Sequence, residues 1–439
     1  MNKSNYIVAI EIGSSKIKGA VGQVDPSGTL IVKGIEEERL HPNYVRYGCV
    51  QNLKEVANEL NRVVAKLNNR IAPAKISAVY VGVGGRSLKS TPARLSMSLA
   101  DDTEITPEIV ESLLGRAKIA GTDAELLDVE PTEFIIDGKS QGIDPVGNLA
   151  RELAANVTLV SCRQQIRRNL QLAINEKLNL PINGFVVRPM AEADLVLSSE
   201  EKRLGAMLVD CGAETTTVAI YKGGALIYLA TIPLGSRHIT RDLMTLPTLE
   251  EKAEEIKRTL GNANPDESHR GGSPDEIDTS KINKIISSRA SEIAVNISAQ
   301  IGYADLKPGD LPRGIVIIGG GSQLQGFAEL LARTTAMDVR RGALPATVRL
   351  TGPKISSGED LDVISLLYRL AGEEKLRPCT VVPEPVRTPE TETVNVAGND
   401  TDDDEEEIED LPQPTGNFFK KFWAKLKNGP DDLGEFNDD

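Results

Sequence analysis

Two distant segments of the chain share one chemical pattern. The first is Ile10-Glu11-Ile12-Gly13-Ser14-Ser15-Lys16-Ile17-Lys18-Gly19-Ala20-Val21; the second is Val209-Asp210-Cys211-Gly212-Ala213-Glu214-Thr215-Thr216-Thr217-Val218-Ala219-Ile220. In each, an apolar strand ends in an acid, a glycine turn with small or hydroxyl residues follows, and a second alternating strand leaves it. That is a β-hairpin rather than the strand-to-helix turn of a P-loop. A turn without side-chain bulk lets successive backbone N–H groups converge on phosphate oxygens, while the adjoining carboxylate can hold Mg²⁺ or its water shell. Either hairpin alone is more often an ordinary tight turn. Their duplication suits a grip on one triphosphate, through Gly13, Ser14, Ser15 and Lys16 on one side and Gly212, Ala213, Glu214 and Thr215 on the other.

A third segment, Gly314-Ile315-Val316-Ile317-Ile318-Gly319-Gly320-Gly321-Ser322, is an apolar strand that opens through three glycines into the helical stretch QGFAELLARTT. Its plain reading is a strand-to-helix turn. Its functional reading is close backbone approach to an adenosine through Gly319, Gly320 and Gly321, with the helix N-terminus adding a favourable dipole near phosphate. In the helical stretch Ala253 to Gly261, Glu254 and Lys257 fall on one face three residues apart, a spacing that by itself describes a surface ion pair.

These segments need a frame, and residues 6 to about 375 supply one. Short β-branched runs alternate with helical stretches such as LKEVANELNRVVAKLN and RQQIRRNLQLAINEKL, which predicts an α/β protein. Within residues 82–160, Thr106-Pro107-Glu108 gives a helix start, and the stretch reads as an inserted α+β module. Residues 262–280 are turn-rich and polar, a loop between two helices.

Length and charge narrow the class. A chain of 439 residues, 40% hydrophobic, exceeds what one core supports, so two or more domains are predicted. A net charge of −14 argues against nucleic acid as a partner, since that role needs a basic face to displace counterions. Cys49, Cys162, Cys211 and Cys379 form no C-x-x-C pair and read as reduced thiols; His41, His238 and His269 show no metal-ligand spacing. Glu11 interrupts the N-terminal apolar run, which is too short for a secretory signal, and no stretch approaches the roughly 20 apolar residues of a membrane span. Any membrane contact must then be peripheral.

After about residue 376 prolines, threonines and the acidic run Asp402 to Asp410 take over, a composition that cannot build a core. Beyond it, TGNFFKKFWAKLKNGP restores bulk. At 100° per residue Phe418, Phe419, Phe422, Trp423 and Leu426 share one sector of a helix, while Lys420, Lys421, Lys425 and Lys427 fill the remainder. Aromatic side chains opposed to lysines suit an interfacial helix on anionic lipid. A terminal helix docked on its own domain, or seated in a partner's groove, is the alternative.

Two phosphate hairpins and an adenosine strand in this order resemble the actin, Hsp70 and sugar-kinase superfamily. The resemblance implies a two-domain actin-like (ribonuclease H-like) α/β fold that clamps ATP, with Glu254 and Lys257 where the superfamily contacts ribose and adenine. Hsp70 would need a large substrate-binding domain, and only about 65 residues follow here. A sugar or small-molecule kinase remains the enzyme-class alternative, although neither its catalytic carboxylate nor a polyol pocket is identifiable.

Over roughly residues 5–370 and the final helix, the sequence is similar to the FtsA family of bacterial cell division proteins. KISAVYVGVGG, PTEFIIDG with DPVG, FVVRPMAEADLVL and GGALIYLATIPLGSRHITRDL carry the likeness. It implies domain 1 at 1–81 with 161–204, the inserted subdomain at 82–160, domain 2 at 205–240 with 312–375, and subdomain 2B at 241–311. A disordered acidic linker at 376–414, a membrane-targeting helix at 415–428 and an acidic tail at 429–439 complete the chain. The family's properties would make it a self-polymerising tether at the cytoplasmic side of the inner membrane, at the septum. It would take the C-terminal peptide of FtsZ on 2B, with Arg289 as the basic residue for that peptide, and recruit late division proteins; a solvated arginine on a helix is the plain alternative for Arg289.

The hairpins depart from the family pattern. Glu11 stands where aspartate is usual, and Asp-Cys-Gly-Ala-Glu-Thr replaces Asp-Ile-Gly-Gly-Gly-Thr. Ala213 is expected to restrict its turn. Glu214 is expected either to repel the γ-phosphate or to point outward. Asp210 is the candidate for positioning Mg²⁺ or the attacking water, with Glu11 its counterpart across the cleft. Weakened ATP binding and slow or absent hydrolysis follow.

Overall fold

The computed structural model describes residues 6–119, 123–264, 279–352, 355–373 and 376–382. The acidic run, all of 415–428 with its lysine and aromatic residues, and the loop residues 265–278 lie outside the described residues. The loop's described edges are more ordered than the sequence suggests: Asn262 forms a bridge to Gln325, and Thr279 already opens a helix.

Both proposed hairpins exist. Ile7–Ile12 pairs antiparallel with Lys16–Val24, and Ala206–Cys211 with Thr216–Lys222. The apolar runs are buried throughout, which is why neither strand alternates cleanly in sequence. Each hairpin anchors a sheet. The first sheet has the order Ile182–Val187, Val79–Val83, Ile7–Ile12, Lys16–Val24, Leu30–Arg39, Val348–Leu350. Helix Leu53–Ile71, capped by the Asn52 side chain accepting from the Glu55 N–H, lays Val56, Leu60, Val63 and Leu67 on this sheet. The helix comes so close that a Cβ on Gly19 would stand 2.7 Å from Leu67 and Val63.

The second sheet contains the other hairpin and continues into the inserted module. Its order is Lys139–Gly142, Ala124–Ile136, Leu149–Arg163, Lys89–Glu104, Ala225–Ile232, Thr216–Lys222, Ala206–Cys211, Ile315–Ile318, Val339–Arg341. The join is narrow: Ala230 pairs with Lys89, and the Ser90 hydroxyl accepts from the Leu229 N–H at 2.7 Å. The insert has its own core around Phe134, Leu113, Leu114 and Leu153. Helix Pro107–Leu114 follows the Thr106 cap expected for it.

Two boundaries differ from those read in the sequence. Residues 312–375 do not stay with the second half: Val348–Leu350 pairs with Leu30–Val32, and helix Leu361–Ala371 buries Val363, Ile364, Leu366 and Leu367 in the core of the first sheet. The chain therefore crosses back after Gly342, because those apolar residues complete the face of the first sheet that the Leu53–Ile71 helix leaves uncovered. Nor does 376 open the linker, since Cys379 is buried and Thr380–Val381 pairs with Lys75–Ile76. Among the described residues Cys49 is half-buried, the other three cysteines are buried, and all four are free thiols. No described helix is long and apolar enough to cross a membrane.

Candidate functional site: a cleft between two hairpins

The tips of the two hairpins face one another across a cavity of about 1140 Å³, lined by Gly13, Ser14, Ser15 and Lys16 from one and Asp210, Gly212, Ala213 and Thr215 from the other. Gly319, Gly320, Gly321, Glu254, Lys257 and Glu11 line the same cavity. All but one of the nucleotide and catalytic candidates are thus brought together, in a space large enough for a nucleotide.

The exception is Glu214. It is fully buried, and it turns away from the cavity into a ring of cations. Its carboxylate accepts from the Tyr47 N–H at 2.7 Å, from Arg241 at 3.0 Å and from Arg237 at 3.4 Å. It therefore neither repels a phosphate nor points to solvent. Arg237 in turn donates to the Ser14 carbonyl at 2.9 Å, and the Ser14 hydroxyl accepts from the Gly48 N–H at 3.2 Å. Tyr47 holds a left-handed backbone, φ 50°, an uncommon conformation for a bulky residue. Ala213, by contrast, is not among the positive-φ residues, so the turn does not demand glycine there. The demand falls on Gly212, where a Cβ would meet the Thr215 carbonyl at 2.9 Å.

The glycines after Ile315–Ile318 also act differently from expectation. They lead into a 3-10 turn, Gly320–Gln323, and the α-helix begins only at Phe327. Glycine backbone, not a helix N-terminus, faces the cleft. Gly319 has φ 83°, and a Cβ on it would lie 2.4 Å from Asp210 Oδ1. Gly320 has open space where its Cβ would be.

Glu254 and Lys257 form more than a surface pair. Lys257 is buried, its ammonium 2.6 Å from Glu254, 2.9 Å from Thr240 Oγ1 and 3.1 Å from the Ser236 carbonyl. Burial pushes that ammonium below its ordinary pKa against the pull of Glu254. Lys16 pairs with Glu37 at 2.8 Å at the rim.

Sequence reasoning missed the cations on the cleft floor. Arg188, first residue of helix Arg188–Val196, places Nη1 2.6 Å from Asp210 Oδ2 and 2.8 Å from Glu192 Oε1, with Nε 3.9 Å from Glu11 Oε1. Burial raises the carboxyl pKa of Glu192, Asp210 and Glu11, that of Glu11 to about 7. For Arg188 burial works downward, but Asp210, Glu192 and Glu11 outweigh it and hold the guanidinium charged. Lys18 lies 3.0 Å from Asp362 and 3.1 Å from Asp360 and also donates to the Glu359 carbonyl. Its position two residues after Lys16 on one strand was a usable signal, since such residues share a face. Arg188 gave none.

The donor set suits a nucleotide better than a metal held by Asp210. The glycine turns leave room for phosphates and Lys18, Arg188 and Lys257 line the cavity, whereas Asp210 Oδ2, which accepts no well-aligned hydrogen bond, has the Arg188 guanidinium 2.6 Å away and Oδ1 packs on Gly319. No group of three acid, cysteine or histidine side chains among the described residues is arranged to hold a metal ion.

Arg289 on helix Thr279–Tyr303 is engaged with Asp242 through Nε at 2.6 Å and Nη2 at 3.1 Å, and with Glu292.

A family model described as "Cell division protein FtsA" matches residues 207–359, and one described as "SHS2 domain inserted in FTSA" matches residues 85–161. Cell division protein FtsA of Porphyromonas gingivalis is 31% identical over 398 residues, spanning 87% of this chain and 80% of that protein. The chain belongs to the FtsA family. FtsA of Bacillus subtilis is 28% identical, over 82% of this chain and 83% of that one. The FtsA fold is actin-like. A chain of the PilM-PilN type IV pilus biogenesis complex superposes with a TM-score of 0.59 at 18% identity, covering 83% of this chain and 98% of that one. MreB5 of Spiroplasma citri bound to ADP superposes with a TM-score of 0.50 at 11% identity, covering 83% and 95%. The residues matched by the inserted-domain model, 85–161, coincide with the module fused to the second sheet.

Proposed function

We propose that this chain binds ATP in the cleft and works as an assembly protein rather than as a fast hydrolase. The carrying observation is the pair of hairpin tips facing one cavity of about 1140 Å³, with buried Lys18 and Lys257 and half-buried Arg188 around it. The turns Gly13 to Lys16 and Gly212 to Thr215 cradle phosphates, the Gly13 and Gly212 N–H groups closing the turns onto the Lys16 and Thr215 carbonyls and Glu214 holding the second turn from behind. Glu254, Lys257 and the Gly319 to Gly321 backbone receive the nucleoside. Asp210 and Glu11 are the carboxylates nearest the reacting phosphate, and Arg188 ties up the charge of both, which supports slow or absent hydrolysis.

In this reading nucleotide-loaded copies polymerise at the inner face of the cell membrane at the septum. There they tether the FtsZ ring and help recruit later division proteins. The tether is the amphipathic segment 415–428, whose aromatic residues enter the headgroup boundary while its lysines meet anionic lipid. The chain's charge of −14 opposes adhesion of a single copy to an anionic leaflet, so avidity in the polymer retains it. The FtsZ C-terminal peptide, being acidic, would dock beside Arg289 and compete with Asp242 and Glu292 for its guanidinium.

The test is flotation with anionic vesicles of the full chain and of a chain cut before Thr415, with and without ATP. Calorimetry with ATP and ADP accompanies it, and FtsZ peptide is added last. ATP-enhanced flotation that disappears with the truncation is the expected result. Equal flotation by both chains, or calorimetry without binding heat, would overturn the tether or the nucleotide assignment respectively.

A further inference from the structure

We propose that the Arg188 guanidinium takes the place of a divalent metal on the cleft floor, so that the chain binds nucleoside di- and triphosphates without Mg²⁺ coordinated by Asp210. The inference rests on the reading of the cleft as a nucleotide site.

Mg²⁺ requires a near-octahedral set of oxygens at about 2.0–2.1 Å. The oxygen best placed to serve, Asp210 Oδ2, instead has a cationic nitrogen 2.6 Å away. A guanidinium so close both fills the space and repels a second cation. Oδ1 is turned onto the Gly319 backbone, where even a methyl group would stand 2.4 Å from it. The Arg188 position is fixed from three sides. Glu192, fully buried one helical turn on, holds Nη1 at 2.8 Å; Glu11 approaches Nε; and a Cβ on Gly84 would come within 3.2 Å of Nε and Nη2, so the missing side chain there beds the guanidinium. Nη2 makes no hydrogen bond to the described residues, and Arg188 lines the cavity beside Gly13. A planar, permanently charged fork facing a glycine turn is a phosphate-binding arrangement in its own right. Through Nη2 it offers the phosphates N–H donors where a metal would otherwise stand, with buried Lys18 lining the same cavity.

The decisive experiment uses the full-length wild-type chain and ATP, measured by calorimetry in excess Mg²⁺ and again in excess EDTA. Affinities in the two buffers are expected to agree within about threefold, because the charge is supplied by the protein. A loss of more than about tenfold on chelation overturns the inference and leaves the nucleotide reading intact. Absence of binding in both buffers overturns both. Arg188→Gln adds a second readout. In EDTA it should bind ATP at least about tenfold more weakly than wild type, the scale of one lost charge-assisted contact. Arg188→Lys should restore part of that loss, which an Arg188 that merely fills space would not do. If Gln at 188 prevents folding, the wild-type chelation result decides alone.

Discussion

The Glu214 carboxylate accepts the Tyr47 backbone N–H at 2.7 Å and so fastens the tip of the second hairpin to the first half of the chain. The fastening is mutual, because Arg237, held by that same carboxylate, reaches back to the Ser14 carbonyl at the tip of the first hairpin. Each hairpin tip is thus steadied by a contact with the opposite half.

Replacing Glu214 with alanine should lower the unfolding free energy by about 3 kcal/mol or more, since a fully buried carboxylate with several cationic partners would leave those partners unpaired. Glu214→Gln should cost less, because an amide oxygen can still accept the Tyr47 N–H. Denaturant unfolding of the variants decides it; an alanine variant as stable as wild type contradicts the clasp.

Gly319→Ala and Gly320→Ala form a matched pair. At 319 a methyl group meets Asp210 Oδ1 at 2.4 Å with φ at 83°, whereas at 320 it meets nothing within 4 Å. The first substitution should destabilise by about 2 kcal/mol or more and abolish ATP binding, and the second should stay within about 0.5 kcal/mol of wild type. Thermal unfolding and calorimetry read both, and a harmless alanine at 319 would show that Asp210 is not so confined.

Lys257→Met keeps most of the side chain's unbranched length and removes its charge from a buried position in the cleft wall. ATP affinity should fall by about tenfold, the scale of a lost hydrogen-bonded cation, with ADP affected alike because the contact is on the nucleoside side. Unchanged affinity would remove Lys257 from the site.

Burial lifts the Glu11 carboxyl to about 7, with Arg188 and Lys18 pulling it down and Asp362 and Asp210 pushing it up. Its folded pKa thus exceeds the ordinary 4.5. The stability this proton confers is complete below about 4.5 and is lost as pH rises through about 7. ATP affinity should decline over the same upper range, as ionised Glu11 adds negative charge beside the phosphates. Glu11→Gln should flatten both trends relative to wild type, which isolates Glu11 from the titration of ATP itself. Parallel pH profiles for the two proteins would count against the assignment.

The duplicated hairpins, the insert and most cleft residues were legible because they rest on local pattern: apolar strand, acid, glycine turn, hydroxyls. What remained hidden depends on distant partners. Val348 pairs with Leu30, and no local signal tells a three-residue strand which sheet it will join. The direction of Glu214 is set by Tyr47, Arg237 and Arg241, none within twenty residues of it. Arg188 opens an ordinary helix after an ordinary strand, and only the fold brings it to Asp210. The amphipathic pattern of 415–428 was read from periodicity alone, and those residues lie outside the described ones.

The join between Lys89 and Ala230 makes the inserted module a lever. One pair of strands connects it to the second sheet, while its chain enters and leaves through the first. From that join the 16-residue strand Lys89–Glu104 runs outward for roughly 50 Å at the usual rise per residue. A rotation between the halves, as the cleft adjusts to its contents, would then carry the far end of the insert much farther than its base. Neighbouring copies that touch at the insert would sense the cleft as a change of contact geometry.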